Sequence, residues 1–386
     1  MDKTQSLLDP NITFLNHGSF GACPKPIFQE YQRFQLELES EPVNFIQNKQ
    51  TPYLKIARDS LANFVGCQAQ DLVFTPNPTF AINVIMRSLK LNQGDEILAT
   101  NHEYGAMDRT WNFYCKKAGA KYVRQNITLP ITSKEQIIEE FWKGYTPNTK
   151  VVFLNQMSSA TALLFPVKEI IEKAKTLGLI TIVDGAHIPG HIDLEITSLD
   201  PDYYTGTLHK WMLAPKGSSF LYVSPQWQNQ LEPLIVSWGY ESVAPGESQF
   251  LDYHEIQGTR DVSVFLCTPK VIEFLEQNNW KAVAEGCKTI VRENYQRFCD
   301  LVGSEPLCPI TAEFLGQMAS IPIKTNKPAE LKEWLYKNYK IQIPVMPLNG
   351  NYYLRYSINA YNAQADLDIL YKALEEIIES TDLIIT

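Results

Sequence analysis

The sequence predicts an α/β protein: a large domain built on a mostly parallel sheet flanked by helices, followed by a smaller α+β C-terminal domain. Three observations carry this. Between Asp71 and Val183, short apolar runs alternate with helical stretches, the pattern of βαβ units. Runs such as Leu179-Ile-Thr-Ile-Val183 lack regular polar alternation, as strands buried on both faces do. After Phe250 the pattern changes to long helices and then mixed strands and helices. We therefore divide the chain into an N-terminal arm near the active site (1–20), a large domain (21–262) and a small domain (263–386).

In chain order, Asn11-Ile-Thr-Phe-Leu15 has strand-like apolar spacing and runs into Asn16-His17-Gly18-Ser19-Phe20-Gly21. The two glycines of that segment predict a tight loop with exposed backbone amides, able to line a ligand pocket. Ile27, Tyr31, Phe34 and Leu38 recur at helical spacing after Pro24 and Pro26, marking an amphipathic helix. The alternation then predicts strands at 72–74, 95–99, 121–124, 151–154 and 179–183, with helices at 80–89, 105–118, 134–142 and 167–177 between them. The C-terminal part predicts a turn at Gln257-Gly258-Thr259-Arg260-Asp261, helices at 268–277, 281–301, 328–338 and 364–380, and strands at 316–323 and 352–358. In such a sheet ligands bind at the carboxyl ends of the strands, so the loops that follow them are where chemistry is sought.

Composition narrows the function classes. The 386 residues carry a net charge of -9, which argues against nucleic acid or an anionic membrane as the main partner. The start, Met1-Asp2-Lys3-Thr4-Gln5, has no apolar h-region, and no apolar run approaches a membrane span, so a cytoplasmic location is expected. The seven cysteines are irregularly spaced with no Cys-x-x-Cys pair, which predicts reduced thiols and neither a disulfide framework nor a zinc site. His187 and His191 have the spacing of a helical metal pair, but Pro189-Gly190 between them breaks a helix, so no metal is expected.

The strongest chemical signal is a pair of strand ends. Val183-Asp184-Gly185 closes one buried run, and Thr205-Gly206-Thr207-Leu208-His209-Lys210-Trp211 follows the next, bringing a carboxylate and a lysine to one sheet edge. Lys210, followed by Trp211-Met212-Leu213, sits in apolar company that lowers an amine's pKa and favours the neutral form needed for a Schiff base. A lone carboxylate at Asp184 is costly unless paired; a protonated pyridine nitrogen is such a partner. Together they suit pyridoxal phosphate (PLP), although a surface lysine or a structural aspartate is the plainer reading of each alone. Asn77-Pro78-Thr79 at a helix start offers a hydroxyl and free amides to a phosphate, and Thr207 and His209 lie beside Lys210.

Asp184-Gly-Ala-His187, Thr207-x-His209-Lys210 and Leu354-Arg355-Tyr356-Ser357 resemble the class V aminotransferase family of PLP fold type I enzymes. Phe14-Leu-Asn-His-Gly-Ser-Phe-Gly-Ala22, His102-Glu-Tyr-Gly-Ala106 and Gln257-Gly-Thr-Arg-Asp261 resemble its isopenicillin N epimerase-like branch. The resemblance implies that Lys210 carries the cofactor covalently and moves the α-proton, that Asp184 pairs with the ring nitrogen, and that His187 stands where relatives place a glutamine at the ring hydroxyl. It also implies a ring-stacking role for Tyr104, phosphate contacts from Thr79, Thr207 and His209, and a place for Asn77 among the cofactor-binding residues. A homodimer would lend Thr259 to the neighbouring subunit's phosphate, Arg355 would bind the substrate carboxylate as a bidentate fork, and Asn16 and His17 would approach the substrate.

Ser159 replaces the asparagine that desulfurases hold near the ring hydroxyl. The desulfurase nucleophile, a cysteine about 15 residues before the substrate arginine, is replaced by Tyr339-Lys340-Ile341, which disfavours a persulfide mechanism. The expected activity is epimerase-like chemistry on an amino acid or small peptide amino group. A C–S β-lyase or an aminotransferase is the alternative, and a non-catalytic PLP-fold binding protein is the alternative of another class.

Overall fold

The computed structural model describes residues 3–385; Met1 and Asp2, at the start of the expected arm, lie outside the described residues. The arm contributes β1 (Thr13–Phe14), which pairs in parallel with a strand of the C-terminal region. The main sheet comprises β2 (Leu72–Thr75), β3 (Glu96–Thr100), β4 (Lys121–Gln125), β5 (Thr149–Asn155), β6 (Ile180–Gly185), β7 (Tyr203–Thr207) and β8 (Ser219–Val223). The C-terminal region adds β9 (Met318–Ile323), β10 (Ile341–Gln342), β11 (Val345–Leu348) and β12 (Asn351–Ser357).

The main sheet runs β2-β8-β7-β6-β5-β3-β4. Its neighbours are parallel except that β8 is antiparallel to both β7 and β2, so β2 runs with the other strands. The mostly parallel expectation holds, and the interstrand helices fall within a few residues of their predicted places: Pro78–Ser88, Gly105–Ala118, Lys134–Trp142 and Val167–Thr176. Pro78 at the first helical position and Asn77, whose side chain accepts from Phe80 N at 2.8 Å, set the first of these; such a cap contributes about 1 kcal/mol. β8 and the helix Gln50–Val65 add to the predicted set. β9, β11 and β12 form an antiparallel sheet of their own.

One expectation is corrected. Residues 16–21 are not an open loop: His17–Phe20 forms a short helical turn. Its amides are already bonded, Gly21 N to His17 O, Ser19 N to Asn16 O, and Gly18 N to Ser357 Oγ. The reason is tertiary, because Leu15 is held from both sides, donating to Gln342 O and accepting from Ser357 N, which leaves the following residues no slack. Among the described residues no helix is long and apolar enough to cross a membrane, and all seven cysteines are free.

The turn carrying Thr259 follows the helix Gln249–Glu255, which is fixed to the helix Gln50–Val65 by a buried ion pair. Arg58 Nη1 donates to both Glu255 oxygens at 2.7 and 2.8 Å. Removing one partner leaves the other charge uncompensated. Arg58→Ala is expected to lower stability by about 3 kcal/mol, read as a drop in thermal midpoint; an unchanged midpoint would show that the pair is not structural.

Candidate active site

Because β2, β3, β5, β6 and β7 run the same way, their carboxyl ends share one edge. There a cavity of about 180 Å³ is lined by Asn77, Thr79, Tyr104, Asn155, Ser159, Asp184, His187, Thr207, His209 and Lys210, with Ser19 and Phe20 of the arm, among others. Nine of the thirteen predicted site residues thus converge from separate segments.

The centre is the pairing of β6 with β7, which sets Asp184 opposite Thr205 and Gly185 opposite Gly206. Lys210 lies one short turn beyond β7, its Nζ 3.3 Å from His187 Nε2. Trp211 Nε1 donates to His187 Nδ1 at 3.4 Å, so the neutral ring carries its proton on Nε2, facing Lys210. Burial, and next the positive charge of Lys210, push the His187 pKa well below the usual histidine value, which keeps the ring neutral. Burial likewise brings Lys210 down to about 8, with Asp184 opposing the shift and Arg355 reinforcing it. Asp184 is raised by burial, while the amide of Ala186, donating to Oδ1 at 3.0 Å, works against the rise. Gly21 is required here: its φ is +61, and a Cβ would land on the carbonyl oxygens of His209 and Lys210. The arm therefore packs directly on the lysine's backbone.

The chemistry of the cavity wall fits PLP. Thr207 Oγ1 and Asn155 Oδ1 are buried without partners, and the helix start at Pro78–Thr79 faces the cavity, where an anion is favoured. Asp184 would meet the ring nitrogen, Nε2–H of His187 the ring hydroxyl oxygen, and Thr79 and Thr207 the phosphate. His209 needs one more proton to join them. Its Nδ1 lies 2.9 Å from Ser218 O and so carries the neutral ring's proton; burial holds its pKa near 4, and only the phosphate dianion would raise it enough to make Nε2 a donor.

Arg355 stands one layer behind the wall. It is 1% exposed, its Nη1 donates to Ser159 O at 2.5 Å and Ser159 Oγ at 3.2 Å, and its Nη2 donates to Ser19 Oγ at 2.7 Å and Asn16 Oδ1 at 3.4 Å. Ser159 and Asn16 thus serve the guanidinium. Arg355 has no carboxylate within ion-pair distance among the described residues. Besides Arg355 and Asn16, two more predicted residues do not line the cavity. His17 is fully buried with its ring edge-on to Phe14 at 4.7 Å, its pKa held near 3 by burial; Thr259 is exposed on its turn. Asn155, Ser19, Phe20, Met107 and Met157 are among the wall residues that sequence reasoning missed; for Asn155, its place at the end of a buried strand beside the one ending in Asp184 was the available signal.

The class V aminotransferase profile matches residues 21–370. The chain belongs to the class V aminotransferase family. It is 31% identical to an isopenicillin N epimerase of Amycolatopsis lactamdurans over 97% of both chains, which places it in the epimerase-like branch. It is 24% identical to a probable L-cysteine desulfhydrase, chloroplastic, of Arabidopsis thaliana, over 96% of this chain and 84% of that one. Its fold matches a cysteine desulfurase from Thermococcus onnurineus NA1 at a TM-score of 0.84 and 18% identity, covering 98% and 97% of the two chains. The protein is a PLP-dependent enzyme of this family with the fold type I architecture.

A Lys210 amine that loses its proton near pH 8 makes a pH prediction. Covalent capture of PLP by the apoprotein is expected to rise from pH 6 and level off above about pH 8, well below the range of an ordinary lysine. Stopped-flow absorbance measures it; a rate still climbing at pH 10 would place Lys210 in an unshifted environment.

Proposed function

We propose that this class V enzyme acts on the amino group of an α-amino acid or small peptide, taking the α-proton with Lys210, and that its outcome is epimerisation. The observation that carries the reading is the convergence of Lys210, Asp184 and His187 at one cavity with a buried, carboxylate-free Arg355 behind its wall. An unpaired guanidinium there calls for an anionic substrate group. When bound, PLP supplies the electron sink that makes an α-proton acidic. The residues do the rest: Asp184 stays an acceptor for the ring nitrogen, His187 donates from Nε2, and neutral Lys210 takes the proton.

Epimerisation is favoured over β-elimination by Tyr104. It enters from the loop after β3, whereas Lys210 enters after β7, on the other side of the strand that carries Asp184. An amine on one flank of that strand and a phenol hydroxyl on the other are the two proton carriers that return to the opposite face requires. The C–S β-lyase reading rests on the similarity to the desulfhydrase. Persulfide transfer is disfavoured on different grounds: no cysteine lines the cavity, and burial raises thiols such as Cys308, pushed up to about 12, away from the reactive thiolate.

The enzyme is read as a homodimer in which Thr259 reaches the neighbouring phosphate. In support, Thr259 is exposed and apart from its own cavity, and Trp238 and Val243, 83% and 97% exposed, lie in the preceding loop, an apolar surface of the kind that partners cover. Seven free cysteines support a reducing, cytoplasmic setting.

Two predictions test the reading. Wild-type protein should bind PLP with a visible absorbance that Lys210→Ala abolishes, and in deuterated water it should give α-deuterated product of inverted configuration from some member of an amino acid panel. Keto acid with released thiol or ammonia would mean β-elimination instead, and no α-exchange with any amino acid would leave only a binding protein. Arg355→Ala should raise KM at least about tenfold, the worth of a charge-assisted hydrogen bond, with PLP retained; loss of PLP would reassign the arginine.

A further inference from the structure

At the edge where the cavity opens, β3 and β5 pair only as far as Leu98 opposite Val152. Yet β3 continues beside β4 to Thr100, and β5 continues beside β6 to Asn155. The two strands therefore part over their last residues. This is also where chain order reverses, with β4 added outward from β3 and β6 and β7 stepping the other way.

The carboxylate of Glu103 fills the gap. It accepts from Thr100 Oγ1 at 2.6 Å and Thr100 N at 3.3 Å on one side, and from Asn155 N at 2.9 Å on the other. Asn155 returns the contact: its Nδ2 donates to His102 O at 3.2 Å, a carbonyl that also accepts from Ser158 Oγ at 3.3 Å. This reciprocal clasp commits the nitrogen of the Asn155 amide and leaves Oδ1 buried, unpartnered and at the cavity wall. Glu103 itself is 4% exposed and does not line the cavity.

We propose that Glu103 is a positioning residue for the cofactor: its carboxylate stands in for the missing β3–β5 rungs and fixes the Asn155 amide so that Oδ1, beside Asp184, offers a second acceptor to a ligand N–H. Asn155 and Asp184 are register partners on adjacent strands, so both side chains leave the same face of the sheet, and the two acceptors form one edge. The ligand group that edge suits is a protonated ring nitrogen. Only in naming PLP as that ligand does this rest on the proposed function.

An acceptor-only carboxylate matches three donors, which an amide cannot do, because its NH₂ would face one of them. The site pays for this in buried charge. Burial, opposed by its hydrogen bonds to Thr100 and Asn155 and reinforced by the charge of Asp184, holds Glu103 up at about 8, so in the free protein the acceptor-only form predominates above that pH, and a cation against Asp184 extends it toward neutral pH by relieving that repulsion.

A double-mutant cycle on PLP binding to the apoprotein tests the inference. Glu103→Gln should weaken PLP binding about tenfold, Asn155→Ala by a similar factor, and the double variant no more than Asn155→Ala alone, with the visible circular dichroism of bound PLP altered alike in all three. Losses that multiply, or a Glu103→Gln protein with wild-type affinity and dichroism, would overturn it. Should Glu103→Gln fail to fold, Thr100→Val removes the 2.6 Å bond to Glu103 together with the 3.1 Å bond that Thr100 Oγ1 accepts from His102 N, leaves Thr100 N on the carboxylate, and should weaken PLP binding by about threefold; unchanged affinity there would also overturn it. A wild-type protein that takes up no PLP would defeat the functional reading as well, whereas wild-type uptake with unaltered variants defeats only the role of Glu103.

Discussion

The site depends on the parallel register of β6 against β7. Asp184 and Lys210 are far apart in sequence, and a carboxylate and an amine can serve one ligand only if their strands end together. The pairing of Asp184 with Thr205 and Gly185 with Gly206 fixes that. A slip of one residue would turn every side chain of one strand to the opposite face. Both faces of these strands are buried, so packing holds the register. Gly185 shows how tightly: a Cβ there would strike the ring of Tyr204, whose hydroxyl donates to Gln156 at 2.8 Å on the loop that leads to Ser159.

Around this pairing the protein keeps polar groups that its own chain does not satisfy. Thr207 Oγ1 and Asn155 Oδ1 lack partners, and Arg355 is buried among neutral acceptors. Such groups are costly in a folded protein, and they collect where a ligand completes them. Burial has a second effect, since it lowers Lys210 and holds His187 neutral, so the amine has an uncharged fraction near neutral pH while the imidazole beside it stays uncharged.

The arm links the two regions. β1 pairs with β10, Ser357 of β12 holds Leu15 and Gly18, and Ser19 bonds Arg355 while Gly21 packs on Lys210. Arg355 and Lys210 are thus braced by residues of the same short segment, Leu15 to Gly21.

The sequence by itself determined the βα order, the lysine and the aspartate, because apolar periodicity and strand-end residues are local signals. The family motifs extended this to Tyr104, His187, Thr207 and Arg355. It did not determine that residues 17–20 are helical, that Arg355 stands behind Ser19 and Ser159, or that Glu103 bridges β3 and β5. Each of those follows from contacts between segments scores to hundreds of residues apart, where propensity is overridden by packing and by the need to give every buried amide and charge a partner.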